Sequence, residues 1–474
     1  MITSGRVIRA ATLTLLFCGV VAGPLAGQFL ETRGNAPVLS NPYSIAFGDF
    51  NGDGKLDLAA TAFYNGMVAV MIGNGDGTFR PAVYYPVGGN ETASSIVTVD
   101  LRGNGILDLV VTNSLNAEVE VLLGNGDGTF GPATAYPTVA NPFFIAAGDF
   151  TNSGHAGIVA LTRGSRQCGC LEVLPGKGDG SLGAAILTSY NPYGTTALVA
   201  GQFTGSANLD VAVSVETGLN IYLGQGNGTF RLGNAYPISS APGAIAAASF
   251  RKNNILDLAL TLPFGGGIAI YLGNGDGAFT AGETVPGGFA DPVITGDING
   301  DGYPDLLALT GYPNTYLTTY LGNGDGTFQA GVNYPLSGSP SNIGLGDFNG
   351  DHKQDVAVAE YSGNAMVTLL NTGAVSFSPT TPLVFKKQAV GTTSAAQTVT
   401  LTNTGKTELK ISSMKVTGQF GMASTCGKAV TAGADCTISV TFSPKTQGAK
   451  SGTVTINDSA SSKPQVIELS GTGT

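Results

Sequence analysis

The chain has 474 residues, of which 71 are glycine, and it carries a net charge of −10 with only 11% charged residues and two histidines. This length allows two or three domains with their own cores, and the many aliphatic and aromatic residues beside the glycines exclude a disordered linker. The negative charge argues against binding to nucleic acid or to anionic membranes.

Residues 1–27 have the organisation of a secretory signal peptide. Arg6 and Arg9 precede the apolar stretch Ala10–Ala22, and the small residues of 23–27 follow it. The apolar stretch is too short to span a bilayer. We therefore expect an exported protein, secreted or associated with the cell envelope, with no membrane insertion.

Two glycine-rich signatures alternate along the chain. The first reads Gly-Asp-Phe-Asn-Gly-Asp-Gly-Lys-Leu-Asp-Leu at 48–58, and the second reads Gly-Asn-Gly-Asp-Gly-Thr-Phe at 73–79. Copies of the first align with Asp49 at Asp100, Asp149, Gln202, Ser249, Asp297 and Asp347. The second recurs at 124–130, 176–182, 224–230, 273–279 and 322–328. A signature repeated at a period of about 50 residues predicts a repeat architecture.

Each repeat contains four short β-like runs, with the signatures between the first and second and between the third and fourth. In the first repeat the runs are Ser44–Phe50, Leu56–Ala62, Met67–Ile72 and Phe79–Pro86. Seven such four-stranded units predict a seven-bladed β-propeller over residues 28–377. The segment Phe29–Pro37 is similar to the fourth runs, so we expect it to complete or pair with the last blade.

The first signature places oxygen ligands at alternate positions of a tight loop. Such a loop can direct them to one hard cation, and Gly54 allows the sharp bend typical of Ca²⁺ loops. The predicted ligands in the first copy are Asp49, Asn51, Asp53, the carbonyl of Lys55, and Asp57. Those in the sixth and seventh copies are Asp297, Asn299, Asp301, the carbonyl of Tyr303, Asp305, Asp347, Asn349, Asp351, the carbonyl of Lys353, and Asp355. We expect structural Ca²⁺, bound with affinities on the order of 10⁻⁴–10⁻³ M; the alternative is polar turns that bind nothing.

The other four copies have lost parts of this ligand set. The second and fifth have Arg102 and Arg251 at the third position, and we expect their guanidinium groups to neutralise the loop carboxylates in place of a cation. The third and fourth lack the charge to bind Ca²⁺ well. The second signature has few carboxylates, so Asn74 and Asp76 are predicted to form hairpin turns.

Residues 378–474 differ from the repeats. Alternating runs at Gln397–Asn403, Leu409–Val416, Cys436–Phe442, Gly452–Asn457 and Val466–Ser470 predict an Ig-like β-sandwich. Cys426 and Cys436 are ten residues apart in an exported domain, which favours a disulfide; the roles of Cys168 and Cys170 stay open. The domain has 9 Lys against 4 acidic residues, whereas 28–377 has 11 Lys and Arg against 28 acidic residues.

The repeated signatures resemble the FG-GAP/VCBS repeats of integrin-α-like propellers over residues 28–377. The resemblance implies Ca²⁺ in the first-signature loops. In the C-terminal domain, Ala389-Val390-Gly391, Val399–Gly405, Cys436–Pro444 and Leu469–Gly473 resemble Ig-like modules of the ASH/choice-of-anchor-D group. Such modules are common at the ends of bacterial surface proteins and are generally not catalytic.

Catalytic motifs are missing from the sequence: it has no Gly-x-Ser-x-Gly elbow, no His-Glu-x-x-His and no phosphate-binding loop. We therefore expect a monomeric, calcium-stabilised binding or adhesion protein rather than an enzyme, one that recognises protein or glycan through the propeller loops opposite the signatures. One alternative is a polysaccharide lyase or hydrolase with paired carboxylates in a deep pocket. Another is a purely structural surface module.

Overall fold

The computed structural model describes residues 30–38, 41–88, 93–163, 169–190, 196–238, 242–262, 265–287, 290–300, 302–311, 316–336, 338–351, 353–371, 375–378, 383–403, 408–459 and 464–474. The predicted signal peptide and the predicted linker at 379–382 lie outside these residues. The described chain is almost entirely β-structure, with one 3₁₀ turn at Phe63–Asn65. Among the described residues, no helix has the length and apolar character needed to cross a bilayer.

An N-terminal strand and six complete four-stranded sheets come first. The strands are β1 (Leu30–Pro37), β2 (Pro42–Gly48), β3 (Asp57–Ala62), β4 (Met67–Met71), β5 (Val83–Pro86), β6 (Ile96–Val99), β7 (Asp108–Asn113), β8 (Glu118–Leu122), β9 (Thr134–Pro137), β10 (Asn141–Gly148), β11 (Gly157–Arg163), β12 (Gly169–Leu174), β13 (Ile186–Tyr190), β14 (Ala197–Gly201), β15 (Asp210–Val215), β16 (Gly218–Gly224), β17 (Phe230–Pro237), β18 (Ile245–Ala248), β19 (Asp257–Leu262), β20 (Gly267–Gly273), β21 (Phe279–Val285), β22 (Ala290–Gly296), β23 (Asp305–Thr310), β24 (Tyr316–Tyr320) and β25 (Val332–Pro335).

The remaining strands form the last blade and the C-terminal domain. They are β26 (Pro340–Gly346), β27 (Asp355–Glu360), β28 (Ala365–Asn371), β29 (Val375–Ser378), β30 (Leu383–Val384), β31 (Gln397–Asn403), β32 (Leu409–Val416), β33 (Phe420–Ser424), β34 (Ala429–Val430), β35 (Asp435–Phe442), β36 (Gly448–Asp458) and β37 (Gln465–Gly473).

Within the described residues, the repeats form seven antiparallel four-stranded sheets, which we number as blades in chain order. Blades 1 to 6 each use four consecutive strands, from β2-β3-β4-β5 to β22-β23-β24-β25. The first strand of each blade contacts the first strand of the next, and β2 also contacts β26, so the ring is closed. The second strands β3, β7 and β23 are buried at every position because neighbouring blades cover both faces. This is the predicted propeller.

The ring closes through the N-terminal strand, as predicted. β1 pairs antiparallel with β28, from Leu30 opposite Asn371 to Pro37 opposite Ala365. The seventh sheet therefore has the order β1-β28-β27-β26 and takes its outermost strand from the start of the chain. This arrangement makes blades 6, 7 and 1, which have the three predicted cation loops, neighbours in the ring.

Aromatic residues from the two signatures join adjacent blades. The first-signature Phe of one blade packs edge-on against the second-signature Phe of the next, as Phe50 does with Phe130 at 5.3 Å between ring centroids. The same contact joins Phe348 to Phe79, Phe150 to Phe230, Phe203 to Phe279 and Phe250 to Phe328. Such pairs contribute about 0.5–1.5 kcal/mol each beyond the area that they bury. The two signatures therefore form the contacts between blades as well as the turns.

The C-terminal domain is the predicted sandwich. One sheet has the order β29-β31-β35-β33, the other has the order β30-β37-β36-β32-β34, and Phe420 and Phe442 stack in the core between them. Cys426 and Cys436 form a disulfide with their Cα atoms 4.7 Å apart. Strand β29 pairs with β31, and Val375 lies in the sandwich core. The predicted boundary at 377/378 is therefore a few residues late, because Phe377 lies in a strand of the sandwich and not of blade 7.

Candidate functional site

The last aspartate of the first signature is buried and accepts hydrogen bonds from two loops, an arrangement that we call the bracket. Asp57 begins β3 and its side chain is fully buried. Its Oδ2 accepts the Phe50 N–H at 2.8 Å, and its Oδ1 accepts the Gly73 N–H at 2.8 Å. One carboxylate therefore ties the first-signature loop to the second-signature loop within the blade.

Other blades repeat this bracket whether or not they keep the remaining cation ligands. The corresponding pairs of N–H donors are Leu101 and Gly124 to Asp108, Phe203 and Gly224 to Asp210, Ile298 and Gly322 to Asp305, and Phe348 and Asn371 to Asp355. Asp257 accepts the Gly273 N–H. Blade 3 has Gly157 at this position. The aspartate persists in loops without other acidic residues, so its first role is to satisfy buried amides.

The first aspartate of the signature shapes the loop itself. Asp49 Oδ1 accepts the N–H groups of Gly52 and Asp53 at 2.7 and 3.1 Å, and Asp49 Oδ2 accepts that of Gly54 at 2.7 Å. Gly52 and Gly54 have φ of 73° and 79°, which is the left-handed region that glycine adopts without strain. The loop is therefore wound around a carboxylate, with its amides directed inward.

Among the described residues, no group of three or more His, Cys, Asp or Glu side chains is placed so that it could hold a metal ion as it stands. In loop 1 the carboxylates are directed to backbone amides: Asp53 Oδ1 accepts the Lys55 N–H at 3.0 Å, and Asn51 Oδ1 accepts the Asp53 N–H at 2.9 Å. Each oxygen keeps a second lone pair, so these bonds leave acceptor capacity for a cation.

Arginine supplies the positive charge in blades 2 and 5, as predicted. Arg102 Nη2 lies 2.6 Å from Asp108 Oδ1 and donates to the Gly124 carbonyl at 2.6 Å. Arg251 Nη2 lies 2.5 Å from Asp257 Oδ1 and donates to the Gly273 carbonyl at 2.5 Å. Both aspartates are fully buried. The buried carboxylate of each of these blades is thus paired with a fixed cation.

Loops 1 and 7 carry more negative charge and have Asn51 and Asn349 in the place of the arginine. Burial, and then the nearby Asp53 and Asp49, raise the pKa of Asp57 above its usual value. Burial, with Asp351 and Asp347 nearby, raises the pKa of Asp355 to about 7. These carboxylates are poorly compensated by the protein alone. Hard oxygen donors with excess negative charge are the set that Ca²⁺ prefers, so the residues present fit this ion.

The structure places the other predicted ligands as follows. In loop 7, Asp347 Oδ1 accepts the N–H groups of Gly350 and Asp351, which repeats the geometry of loop 1. In loop 6, Asp297 Oδ2 accepts the Gly302 N–H at 2.7 Å. Asp301 lies outside the described residues, so the full set of loop 6 is not described. The lysines of loops 1 and 7 reach only 4.0 Å from Asp53 and Asp351.

The second signature forms turns, as predicted. Asn74 Nδ2 donates to Thr78 Oγ1 at 2.9 Å, and the Thr78 N–H donates to Asp76 Oδ1 at 3.0 Å. The turn also holds the neighbouring blade, because the Gly77 N–H donates to the Phe348 carbonyl at 3.0 Å. The same bond recurs from Gly128 to Phe50, from Gly228 to Phe150 and from Gly277 to Phe203.

Sequence reasoning missed the role of the tyrosines that precede proline in the fourth strands. The Phe130 N–H donates to Tyr85 Oη at 3.2 Å, and the Phe279 N–H donates to Tyr236 Oη at 2.6 Å. Each tyrosine therefore caps a loop amide of the next blade. The repeated Tyr-Pro dipeptide was the available signal, since proline alone would explain only the strand end.

The opposite face is formed by the loops between the second and third strands and by the connections between blades. Tyr43 and Tyr64 are about two-fifths exposed there, and Leu115 and Val139 are exposed further. Tyr64 and Tyr361, from blades 1 and 7, contact each other at 6.2 Å between ring centroids. Cys168, Tyr193, Phe264 and 312–314, which the sequence places in such loops and connections, lie outside the described residues; Cys170 is buried.

A cavity of about 370 Å³ lies between blades 7 and 1. Its lining includes Pro37, Phe79, Arg80, Tyr84 and Thr368, and none of its lining residues is an aspartate or glutamate. This cavity therefore does not have the paired carboxylates that the polysaccharide-enzyme alternative requires.

The fold and the loops define an all-β protein. A propeller whose blades have repeated Asp- and Gly-rich loops precedes an Ig-like sandwich. The model of the FG-GAP-like repeat family matches residues 49–111, 103–160, 250–308 and 297–358. The model of the ASH family (Abnormal spindle-like microcephaly-associated, ASPM-SPD-2-Hydin) matches residues 373–466. The chain therefore contains FG-GAP-like repeats within 49–160 and 250–358 and an ASH domain at 373–466, as the signatures predicted.

Two further comparisons add little. No curated protein sequence matches the chain significantly. Among solved structures, a 6-phosphogluconolactonase candidate from Bacteroides uniformis aligns with 14% identity and a TM-score of 0.46, covering 69% of this chain and 90% of that chain.

Proposed function

We propose that the protein is an exported binding or adhesion protein whose propeller is stabilised by Ca²⁺ at blades 6, 7 and 1. The comparison of equivalent loops carries this proposal. Where the third position is arginine, a guanidinium pairs with the buried aspartate. Where it is asparagine, in loops 1 and 7, no guanidinium takes this place; burial, and to a smaller extent the extra carboxylates nearby, raise the pKa of that aspartate.

Bound Ca²⁺ would supply positive charge that links the loop carboxylates. Asp49, Asn51, Asp53, Asp57 and the Lys55 carbonyl would hold it in blade 1, with the corresponding residues in blades 6 and 7. The chain's own residues already wind the loop and satisfy its amides, so the ion's contribution is to stability. The three loops flank the closure formed by β1 and β28, where the ring is held by a strand from a distant part of the chain.

The ligand-binding surface proposed for this protein is the face opposite the cation loops. The loops there do not take part in the aspartate brackets or in the Phe–Phe contacts between blades, which lie at the signature face. The exposed Tyr43 and Tyr64 give this face the apolar contact area that binding proteins use.

The test is an array of glycans and extracellular matrix proteins, probed with the biotinylated chain from residue 28 in Ca²⁺ and then in chelator. We expect binding to at least one class of ligand, weakened in chelator as the propeller loses stability. The absence of any binding by the folded, Ca²⁺-loaded chain would contradict the binding function and favour a structural module.

A further inference from the structure

The junction of blades 7 and 1 presents an aromatic surface on the face opposite the cation loops. We define the seam patch as Tyr43, Tyr64, Tyr361, Asn41 and Asn364. Tyr43 and Tyr64 are 41% and 42% exposed, and the rings of Tyr64 and Tyr361 meet at an angle of 60°. Pro42, next to Tyr43, pairs with Ala62 two residues before Tyr64, so all three rings belong to one small region.

The backbone beneath these rings is held in place from both blades. The Asn41 N–H donates to Asn364 Oδ1 at 2.7 Å, and Asn41 Nδ2 donates to the Tyr361 carbonyl at 3.2 Å. The Tyr361 N–H donates to the Ser339 carbonyl at 2.9 Å. A surface that is ordered before binding loses less conformational entropy when a ligand arrives.

The seam patch is almost uncharged within a strongly acidic propeller. The described segments that meet there, 36–38, 41–46, 61–67, 338–343 and 360–366, contain one charged residue, Glu360. The side chain of Glu360 is only 3% exposed. Tyrosine rings, asparagine amides and serine hydroxyls make up the polar surface, so an ionic ligand has no counter-charge to recognise.

We propose that the seam patch binds an uncharged oligosaccharide. The C–H face of a neutral pyranose packs on an aromatic ring, while its hydroxyls exchange hydrogen bonds with nearby amides and hydroxyls. The rings of Tyr64 and Tyr361, which meet at 60°, would form the aromatic surface on which the sugars stack. The inference rests on the proposed binding function and narrows it to one pair of blades and one class of ligand.

The experiment measures binding of the chain from residue 28 to cellohexaose, xylohexaose, mannohexaose and chitohexaose by saturation-transfer NMR and calorimetry. Trigalacturonate is the anionic comparator, and immobilised collagen and fibronectin are the protein comparators. The variants are Tyr64→Ala, Tyr361→Ala and Tyr64→Phe. Leu115→Ala is the matched control, because Leu115 is 68% exposed on the same face in blade 2.

We expect at least one neutral hexaose to bind, and each alanine variant to weaken its binding about tenfold. Tyr64→Phe and Leu115→Ala are expected to keep binding within about twofold. Thermal unfolding in Ca²⁺ checks that every variant is folded. Sugar binding that both alanine variants retain, or binding only to trigalacturonate, collagen or fibronectin, overturns the seam patch while a binding function stands. If none of these probes binds, the seam patch proposal is wrong. The binding function itself is contradicted only if the full array of glycans and matrix proteins also shows no binding.

Discussion

Blades 1 and 2 each bury a negatively charged aspartate, and they differ in the residues that surround it. Both bury an aspartate that ties the two signature loops together, Asp57 in blade 1 and Asp108 in blade 2. Blade 2 adds Arg102, whose guanidinium lies 2.6 Å from the carboxylate. Blade 1 instead adds Asn51 and Asp53, which increase the demand for a positive charge from outside. The comparison indicates that the buried aspartate is common to the two blades and that only blade 2 pairs it with an arginine.

The largest effect is expected from removing the fixed cation. Arg102→Met leaves Asp108 buried beside an apolar side chain, and breaking a buried ion pair in this way costs about 3–5 kcal/mol. The free energy of unfolding from urea titration should fall by this amount both with Ca²⁺ and with chelator. Arg231→Met, at an exposed position of β17, is the control. An unchanged unfolding midpoint would show that the pair contributes nothing to stability.

A somewhat smaller effect is expected from Ca²⁺. A ligand that binds only the folded state stabilises it by about 2.7 kcal/mol at a concentration one hundred times its dissociation constant. Wild-type protein should therefore melt at a higher temperature in about 10 mM Ca²⁺, one hundred times the tightest dissociation constant expected for these loops, than in chelator. Asp49→Asn should reduce this gain, whereas Asp127→Asn, in a second-signature turn, should leave it intact. Equal melting temperatures with and without Ca²⁺ would contradict the assignment.

The smallest effect concerns a buried carboxylate that has neither kind of cation. Glu172 in β12 is fully buried, its Oε2 accepts the Val139 N–H at 2.9 Å, and burial raises its pKa. A raised folded pKa means that the folded state binds the proton more tightly, so stability is greatest below the unfolded pKa of about 4.5 and falls as pH rises through the folded value.

Glu172→Gln keeps the hydrogen bond to Val139 and removes this charge. The stability of the variant relative to wild type should rise between pH 4 and pH 8, and the difference should be smallest near pH 4. Urea unfolding across this range measures it. If the difference in the free energy of unfolding between variant and wild type does not change with pH, the ionisation of Glu172 is not its cause.

Much of the fold followed from the repeated signatures. Their spacing predicted four-stranded blades. The similarity of Phe29–Pro37 to the fourth runs predicted the pairing of β1 with β28, because the last blade takes its fourth strand from the start of the chain when the ring closes. The short sandwich strands β30 and β34, at Leu383–Val384 and Ala429–Val430, were missed. Two residues are too few to show a period, and only their long-range pairing defines them.

The candidate cation loops were predicted residue by residue, but the bracket role of Asp57 was not. An aspartate that accepts two backbone amides and one that binds a cation have the same sequence signature, and only three-dimensional placement separates them. The persistence of Asp108, Asp210 and Asp257 in loops with few other acids was the available clue. The hydroxyl caps from Tyr85 and Tyr236 join residues more than 40 positions apart, so the repeated Tyr-Pro dipeptide could mark the tyrosines but not their partners.

The central claim is that arginine and Ca²⁺ are alternative counter-charges for one bracket. Asn51→Arg with Asp53→Asn gives loop 1 the arrangement of loop 2, and Arg102→Asn with Asn104→Asp gives loop 2 that of loop 1. Calorimetric Ca²⁺ titration of the wild-type chain and of these two double variants tests the claim most directly. Relative to wild type, we predict one fewer bound ion for the loop 1 variant and one more for the loop 2 variant. An unchanged stoichiometry in both variants would contradict the account.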